Sequence, residues 1–322
     1  MQYAMALPVL LLAILAAEFL LRVRHRTLRS TWPSELCSET QAVVWDEVRD
    51  RYRIVCLGDS NTFGEGLPSR QAFPALLEAQ LREKFPQLDA VVINAGIRGN
   101  TAVQGLARLT CDVLRFKPHV VVSAFGANDG NLGRWPLDLI RERQMARQTT
   151  WSGRAESWLE HSHLYQTLRA RMGRFLRQAS ELHYDGVEDA SLSESQPRVS
   201  VEGFVLAQRL LVGRLQAAGC AVFLMTTTLS RSSFPVGAGS FEQQMAIYQD
   251  YDRIIREVAA ASSSSLIDLQ LLLKDQTPGQ ADPLIAPDAV HLTTAGHRAV
   301  AAMVLSSLEQ SGLLHSNPDL RR

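Results

Sequence analysis

The sequence predicts an α/β protein in which helices cover both faces of a parallel sheet. Two observations lead to this fold class. From about residue 51 onward, short apolar runs alternate with amphipathic helical segments, and the runs are continuously apolar rather than alternating apolar with polar. Strands buried on both faces have this composition, and alternation of strands with helices indicates a parallel sheet. The expected architecture is therefore a three-layer α/β/α sandwich.

The predicted elements follow in order. Polar residues and glycines follow the first three predicted strands, where an α/β sheet builds its binding sites. A stretch at about 130–200 is rich in Arg, Gln, Glu and Ser, lacks strand signals and is expected to be a partly helical insertion. The predicted strands are 53–57, 90–94, 119–125, 221–225 and 265–268, and the predicted helices are 71–85, 102–116, 203–218, 248–261 and 294–308.

Size and charge restrict the function classes. The 322 residues are enough for one large domain or two small ones. Lys plus Arg (33) equals Asp plus Glu (33), so net charge gives no reason to expect a nucleic-acid partner. The four cysteines include no CxxC pair, which argues against a zinc knuckle or a redox pair.

The sequence predicts a membrane anchor over residues 1–29, a linker at 30–50 and an α/β domain at 51–315. Residues 4–21 are apolar except for Glu18, and a helix of that length would span about 27 Å. Arginines follow at once, which places this flank in the cytoplasm by the positive-inside rule, with a periplasmic location as the alternative. A core helix of a soluble domain and a cleaved signal peptide are the weaker interpretations.

Four polar motifs supply what acyl transfer requires. A serine needs a base, the base needs an acceptor that orients it, and the tetrahedral oxyanion needs donors. Ser60 is the candidate nucleophile, His291 the base and Asp288 its orienting acceptor. The backbone N–H groups of Ser60 and Gly99 and the side-chain amide of Asn128 are the candidate oxyanion donors. The motifs are GDSNT at 58–62, NAGIRGNT at 94–101, GAND at 126–129 and DAVH at 288–291.

Each motif alone also has an ordinary interpretation. GDS can be a simple turn, and the glycine-rich segment a plain connection between a strand and a helix. Asp288 and His291 can be surface residues or metal ligands, but no HxH or HExxH motif lies nearby. Arg198 could meet a substrate carboxylate or phosphate, although a structural or solvent-facing role is favoured. His297 is expected to be a surface histidine of the last helix.

Together and in this order, the motifs resemble four conserved blocks of the SGNH (GDSL-like) hydrolases. The run at 91–130 is similar to bacterial thioesterase I/lysophospholipase enzymes. The resemblance implies a flavodoxin-like fold with strand order 2-1-3-4-5, no cofactor, and the roles given above for Ser60, Asp288, His291, Gly99 and Asn128. The long insertion and the apolar N-terminus depart from the smallest members of that family.

Three functions follow from the resemblance. The first is hydrolysis of a small-molecule, lipid or sugar ester, or of a thioester, through an acyl-enzyme. The second is transfer of the acyl group to a sugar or lipid hydroxyl at the same site. The third is a non-catalytic binding module that keeps the SGNH fold. The complete set of motifs argues against the third, and hydrolysis is the leading interpretation of the other two.

Overall fold

Five buried segments form one parallel sheet in the computed structural model, which describes residues 43–132, 142, 145, 146, 196–228, 239–273, 283–288 and 290–314. The strands are β1 (Tyr52–Gly58), β2 (Ala90–Gly96), β3 (Val120–Ala124), β4 (Ala221–Met225) and β5 (Ser265–Ile267). They are ordered β2-β1-β3-β4-β5 and pair in parallel throughout. The predicted fold class and strand order are therefore confirmed.

Helices cover the two faces of this sheet. Within the described residues they are α1 (Trp45–Val48), α2 (Ser60–Phe63), α3 (Phe73–Lys84), α4 (Ala102–Ala107), α5 (Leu109–Asp112), α6 (Val201–Ala217), α7 (Gly239–Ala261), α8 (Gln270–Leu273) and α9 (Thr294–Gln310). All of these elements belong to one of the two units into which the chain divides, made of Leu36–Glu142 and Ser193–Arg322.

Side-chain alternation along the strands sorts the core into two layers. Ile54 and Cys56 of β1 join a cluster with the apolar faces of α3 and α9. Val55 and Leu57 are equally buried and point to the opposite face, because successive strand side chains alternate. Helices α4, α6 and α7 pack against that second face, where α6 contacts both of the others.

The predicted helix at 102–116 is shorter than expected. Thr101 caps α4 in a reciprocal capping box with Gln104, but the helix ends at Ala107. Arg108 leaves the helical conformation, with φ −97° and ψ 4°. Its guanidinium is buried and donates to the Gly58 carbonyl at 2.9 Å and to Asn100 Oδ1 at 3.0 Å. The arginine thereby ties the broken helix to the end of β1.

The structure describes only part of the region that the N-terminal predictions cover. The predicted linker contains α1, and Val48 of this helix is buried. No helix among the described residues has the length and hydropathy needed to span a bilayer. The apolar segment at 4–21 and most of the 130–200 insertion lie outside the described residues, so the anchor and the helical insertion stay predictions.

Candidate active site

Ser60 lies at the turn between β1 and α2, at the carboxyl edge of the sheet. Asp59 is the N-cap of α2, and its Oδ1 accepts the Asn61 N–H at 2.9 Å. Position 58, just before Asp59, must be glycine, because a Cβ there would lie 2.7 Å from the Ala124 carbonyl oxygen. Glycine at this position therefore follows from the close approach of β1 and β3. The turn leaves Ser60 as the first residue of a helix, with only 7% of its surface exposed.

A chain of hydrogen bonds connects three of the predicted site residues. His291 Nε2 lies 2.9 Å from Ser60 Oγ, and His291 Nδ1 lies 2.7 Å from Asp288 Oδ2. These contacts bring together residues 231 positions apart in sequence. The arrangement allows the imidazole to take a proton from the serine while the carboxylate fixes the ring orientation.

The carboxylate of Asp288 is held in its ionised form by the loop that carries it. Its Oδ1 accepts the backbone N–H groups of Val290 at 3.0 Å and His291 at 2.9 Å. Partial burial raises the pKa of Asp288, but these hydrogen bonds and the His291 imidazole outweigh it and keep the pKa below the usual value. The half-exposed carboxylate therefore stays charged and can support an imidazolium.

Asn128 contacts Asp59, the residue before Ser60. Its Nδ2 lies 3.4 Å from Oδ2 of the buried Asp59. An amide nitrogen carries two hydrogens, so this contact leaves a second N–H for a substrate oxygen. Burial raises the pKa of Asp59 to about 6, against the lowering effect of its hydrogen bonds with Asn61 and Asn128. Asp59 therefore orients the amide of Asn128 and caps α2.

Gly99 lies in a tight turn beside the end of β1. The Asn100 N–H donates to the Ile97 carbonyl at 3.2 Å, and the Ile97 N–H donates to the Gly58 carbonyl at 3.1 Å. Gly99 has φ +69°, which is the left-handed value that a type II turn requires at its third position. The turn thus ties the Gly99 segment to the residue that precedes Asp59 and Ser60.

Sequence reasoning missed Asn61 and Thr228. The Asn61 side chain donates to the Val290 carbonyl at 3.1 Å and accepts the Leu292 N–H at 3.0 Å. Thr228 Oγ1 accepts from Asn61 Nδ2 and donates to the same Val290 carbonyl, each at 3.1 Å. Thr228 follows β4, so the rule that sites form at strand ends could have found it.

His297 and Arg198, both considered in the sequence analysis, are buried and make structural hydrogen bonds. His297 was expected on the surface but is 1% exposed, where its Nδ1 accepts the Phe73 N–H at 3.1 Å. Its predicted surface position is therefore wrong. Arg198 is also buried, and its Nη1 donates to the Gly99 carbonyl at 3.0 Å. The favoured structural role of Arg198 therefore agrees with its contacts.

A cavity of about 20 Å³ lies beneath α2. This volume holds roughly one water molecule, which is too little for an acyl chain. Its lining includes Asp59, Asn61, Phe73, Phe125, Met225 and Leu292.

Comparison with known proteins identifies the family. The family model of the GDSL-like lipase/acylhydrolases matches residues 56–299, which include all five predicted site residues. The chain belongs to this family. The resemblance to SGNH (GDSL-like) hydrolases drawn from the motifs is thereby confirmed.

Relatives within the family share only part of their length with this chain. Over 86 residues the chain is 38% identical to the esterase TesA of Pseudomonas aeruginosa, covering 27% of this chain and 42% of TesA. Over 106 residues it is 33% identical to the thioesterase 1/protease 1/lysophospholipase L1 of Escherichia coli K12, covering 33% and 49%. The chain therefore spans less than half the length of the curated relatives it matches.

Solved structures agree with the fold. The lipase/acylhydrolase of Enterococcus faecalis aligns with a TM-score of 0.50 and 19% identity, covering 80% of this GDSL-like chain and 96% of the other. An acetyl xylan esterase, AlAXEase, aligns with the same TM-score at 20% identity, covering 80% and 99%. At these identities the likeness concerns the fold alone.

Proposed function

We propose that this GDSL-like protein hydrolyses carboxylic esters or thioesters, with Ser60 as nucleophile, His291 as general base and Asp288 as the residue that orients it. The observation that carries the proposal is the unbroken hydrogen-bond chain from Asp288 through His291 to Ser60, at 2.7 and 2.9 Å. Hydrogen-bond reach between nucleophile and base, and between base and orienting group, is the geometric signature of an activated serine.

The reaction proceeds in two halves. Ser60 Oγ attacks the acyl carbonyl carbon while its proton moves to His291 Nε2. The tetrahedral intermediate collapses as His291 returns this proton to the leaving alkoxide or thiolate, which leaves the acyl group on Ser60. Water then attacks the acyl-enzyme with His291 again as base, and the carboxylic acid departs.

Three donors would stabilise the oxyanion in both halves. They are the backbone N–H groups of Ser60 and Gly99 and the side-chain N–H of Asn128 that Asp59 leaves unused. Asp59 holds this amide with Nδ2 toward the site, because its carboxylate can only accept a hydrogen bond while ionised. Donors fixed before the reaction need no reorganisation when charge develops on the oxygen.

The choice of ester and thioester follows from the relatives. The relatives that match part of this chain are described as an esterase and as a thioesterase 1/protease 1/lysophospholipase L1. Serine enzymes that form an acyl-enzyme can accept either leaving group, since the acyl half of the reaction is the same. Both bond types therefore belong in the first substrate screen.

Labelling with a fluorophosphonate tests the nucleophile directly. The full chain and its Ser60→Ala variant would be treated with the probe, and circular dichroism would check folding. We expect Ser60→Ala to lose all labelling and all activity on p-nitrophenyl esters and acyl-CoA thioesters. Labelling that persists in folded Ser60→Ala would reject Ser60, and a folded wild type that neither labels nor hydrolyses would indicate a binding module.

Product analysis separates hydrolysis from acyl transfer. The protein would be incubated with an active ester, with and without a sugar or a lipid alcohol at high concentration. Free acid as the product in every case supports the hydrolase. An acylated acceptor that requires Ser60 would instead identify an acyltransferase that uses the same site.

We also propose that residues 4–21 anchor the protein in a membrane. The length and hydropathy of this segment, followed by four arginines within eight residues, motivate the proposal. Fractionation of cells that express the full chain, beside a chain without its first 29 residues, is the test. Full-length protein found in the soluble fraction would reject the anchor, and protease protection in spheroplasts would assign the side.

A further inference from the structure

The chain returns to the active-site edge of the sheet at residues 197–199. Pro197 forms an isolated antiparallel bridge with Leu132. The next two backbone N–H groups continue the attachment: Arg198 donates to the Asn131 carbonyl at 2.8 Å, and Val199 donates to the Asp129 carbonyl at 3.2 Å. The segment is thus fixed by its backbone to the loop that carries Asn128.

The side chain of Arg198 crosses from that loop to the other oxyanion donor. Its Nη1 donates to the Gly99 carbonyl at 3.0 Å, and only 3% of the residue is exposed. Burying a guanidinium is costly unless hydrogen bonds compensate for the lost water. Arg198 therefore bonds the Asn128 loop through its backbone and the Gly99 turn through its side chain.

Several hydrogen bonds hold the Gly99 turn in place. A Cβ built on Gly99 would meet nothing within 4 Å, so no neighbouring atom presses against this side of the turn. Three of these hydrogen bonds are the Ile97 N–H to the Gly58 carbonyl, Arg108 to the Asn100 side chain at 3.0 Å, and Arg198 to the Gly99 carbonyl, while Arg98 of the same turn packs on the Phe63 ring. Of these, the Arg198 contact acts on Gly99 itself.

We propose that Arg198 is a positioning residue that sets the separation between the two oxyanion donors, the Gly99 N–H and the Asn128 amide. The proposal rests on the function proposed above, in which both groups stabilise the tetrahedral intermediate. A donor displaced by about 1 Å can lower the rate up to about 100-fold. Loss of the Arg198 hydrogen bond frees the Gly99 carbonyl and lets the turn shift in this way.

Arg198→Met and Arg198→Lys test the proposal, with Arg53→Met as the matched control. Arg53 is also buried and donates to backbone carbonyls, those of Lys117 at 3.1 Å and Arg51 at 2.7 Å. It lies near the start of β1, roughly 20 Å from the serine at the other end of that strand. Its replacement removes similar hydrogen bonds away from the site.

The readouts are kcat, KM and the rate of fluorophosphonate labelling of the full chain, with the folded fraction measured by urea unfolding. We expect Arg198→Met to lower kcat about 10- to 100-fold with KM little changed. Labelling should slow by a similar factor, because the phosphonyl oxygen occupies the same donors. Arg198→Lys keeps a donor and should lose less, while Arg53→Met should lose stability but keep kcat per folded molecule.

Two results would overturn the inference, and they differ from failure of the proposed function. Wild-type kcat and labelling in folded Arg198→Met would show that Arg198 does not position the donors. An equal loss of kcat per folded molecule in Arg53→Met would show a general effect of losing a buried arginine. If Arg198→Met does not fold, the comparison is made with Arg198→Lys, whose ammonium cannot reproduce the planar fork of the guanidinium, and wild-type kcat and labelling in that variant would then overturn the inference. If wild type has no Ser60-dependent activity or labelling, the proposed function fails first and this inference with it.

Discussion

The side chain of Asn61, one residue after Ser60, hydrogen-bonds the carbonyl of Val290, one residue before His291, at 3.1 Å. The same side chain accepts the N–H of Leu292, one residue after His291, at 3.0 Å. The amide therefore holds the backbone on both sides of the histidine. It fixes the His291 loop to the turn that carries the serine, and Thr228 reinforces the contact.

Asn61→Ala should uncouple the base from the nucleophile. Without the amide, the Val290 and Leu292 backbone groups lose their partners and the loop can shift by fractions of an ångström. We expect kcat to fall about 10- to 100-fold with KM little changed, because His291 no longer stays within reach of Ser60. Steady-state kinetics on a p-nitrophenyl ester would check this.

Asn61→Asp is the isosteric companion of that variant. It keeps an acceptor for the Leu292 N–H but replaces the donor to Val290 with a carboxylate oxygen. A carboxylate facing a carbonyl repels it, so this variant should be no more active than Asn61→Ala. Wild-type kcat in either folded variant would show that Asn61 does not position His291 for Ser60.

Asp59→Asn should damage the oxyanion site without removing any residue from it. The amide that replaces the carboxylate would present an N–H to Asn128 Nδ2, and two donors cannot bond each other. Asn128 must therefore turn its carbonyl oxygen toward position 59. We expect that it then presents no N–H to the oxyanion. We expect a fall in kcat comparable with that of Asn128→Ala, about 10²- to 10³-fold.

The double variant tests the mechanism of that loss. If Asp59 acts through Asn128, Asp59→Asn combined with Asn128→Ala should be no slower than Asn128→Ala alone. Kinetics of the three variants under the same conditions decide this. Multiplied losses in the double variant would mean that Asp59 acts independently of the amide.

The fold was readable from the sequence because its signals are local. Each of the five strands is an apolar run in the printed sequence, and Phe73, Leu77 and Leu81 on α3 are buried as their helical spacing predicts. The end of the helix before Arg108 could not be predicted from the sequence. The residue favours helix by propensity, but its guanidinium reaches the Gly58 carbonyl fifty positions away.

The candidate site likewise contains residues that local motifs predict and residues that they do not. Ser60, Asp288 and His291 were found from short motifs, and the structure places them in hydrogen-bond contact while their roles stay predictions. Asn61 and Arg198 could not be assigned from sequence. Their contacts join segments 229 and 99 positions apart, and no local pattern reports such pairs.

Gly99→Ala should cost stability and activity together. The added methyl has room, so the obstacle is the left-handed φ of +69°, which costs about 1–2 kcal/mol for an alanine. The turn can relieve this strain by rotating the peptide that carries the Gly99 N–H, and the donor then leaves the site. We expect kcat to fall by up to about 10³-fold, the full value of one oxyanion donor.

Gly99→Asn and Gly219→Ala are its controls. Asparagine adopts the left-handed region more readily, so Gly99→Asn should retain more activity than the alanine variant. Gly219 has φ +82° and equally open space but precedes β4, at the opposite edge of the sheet. Its alanine variant should lose similar stability in urea unfolding and keep kcat. Equal kcat in Gly99→Ala and Gly219→Ala would remove Gly99 from the oxyanion site.

His297 should make the fold less stable as the solution becomes acidic. Burial is the main cause that lowers the pKa of this imidazole from 6.5 to about 4, and the charge of His291 adds to it. Between these pH values the unfolded chain binds more protons than the folded one, so stability falls as pH decreases through this window. The shift corresponds to about 3 kcal/mol between pH 7 and pH 4.

His297→Asn isolates this contribution. Its Oδ1 can still accept the Phe73 N–H, but it does not titrate. Burial also raises the pKa values of Asp59 and Asp252 to about 6, which opposes the histidine because those carboxyls favour folding when protonated. The difference between wild type and variant in urea unfolding at a series of pH values removes this background. Wild type should lose stability relative to His297→Asn as pH falls from about 6.5 to 4, and a constant difference across that range would show that the buried imidazole titrates normally.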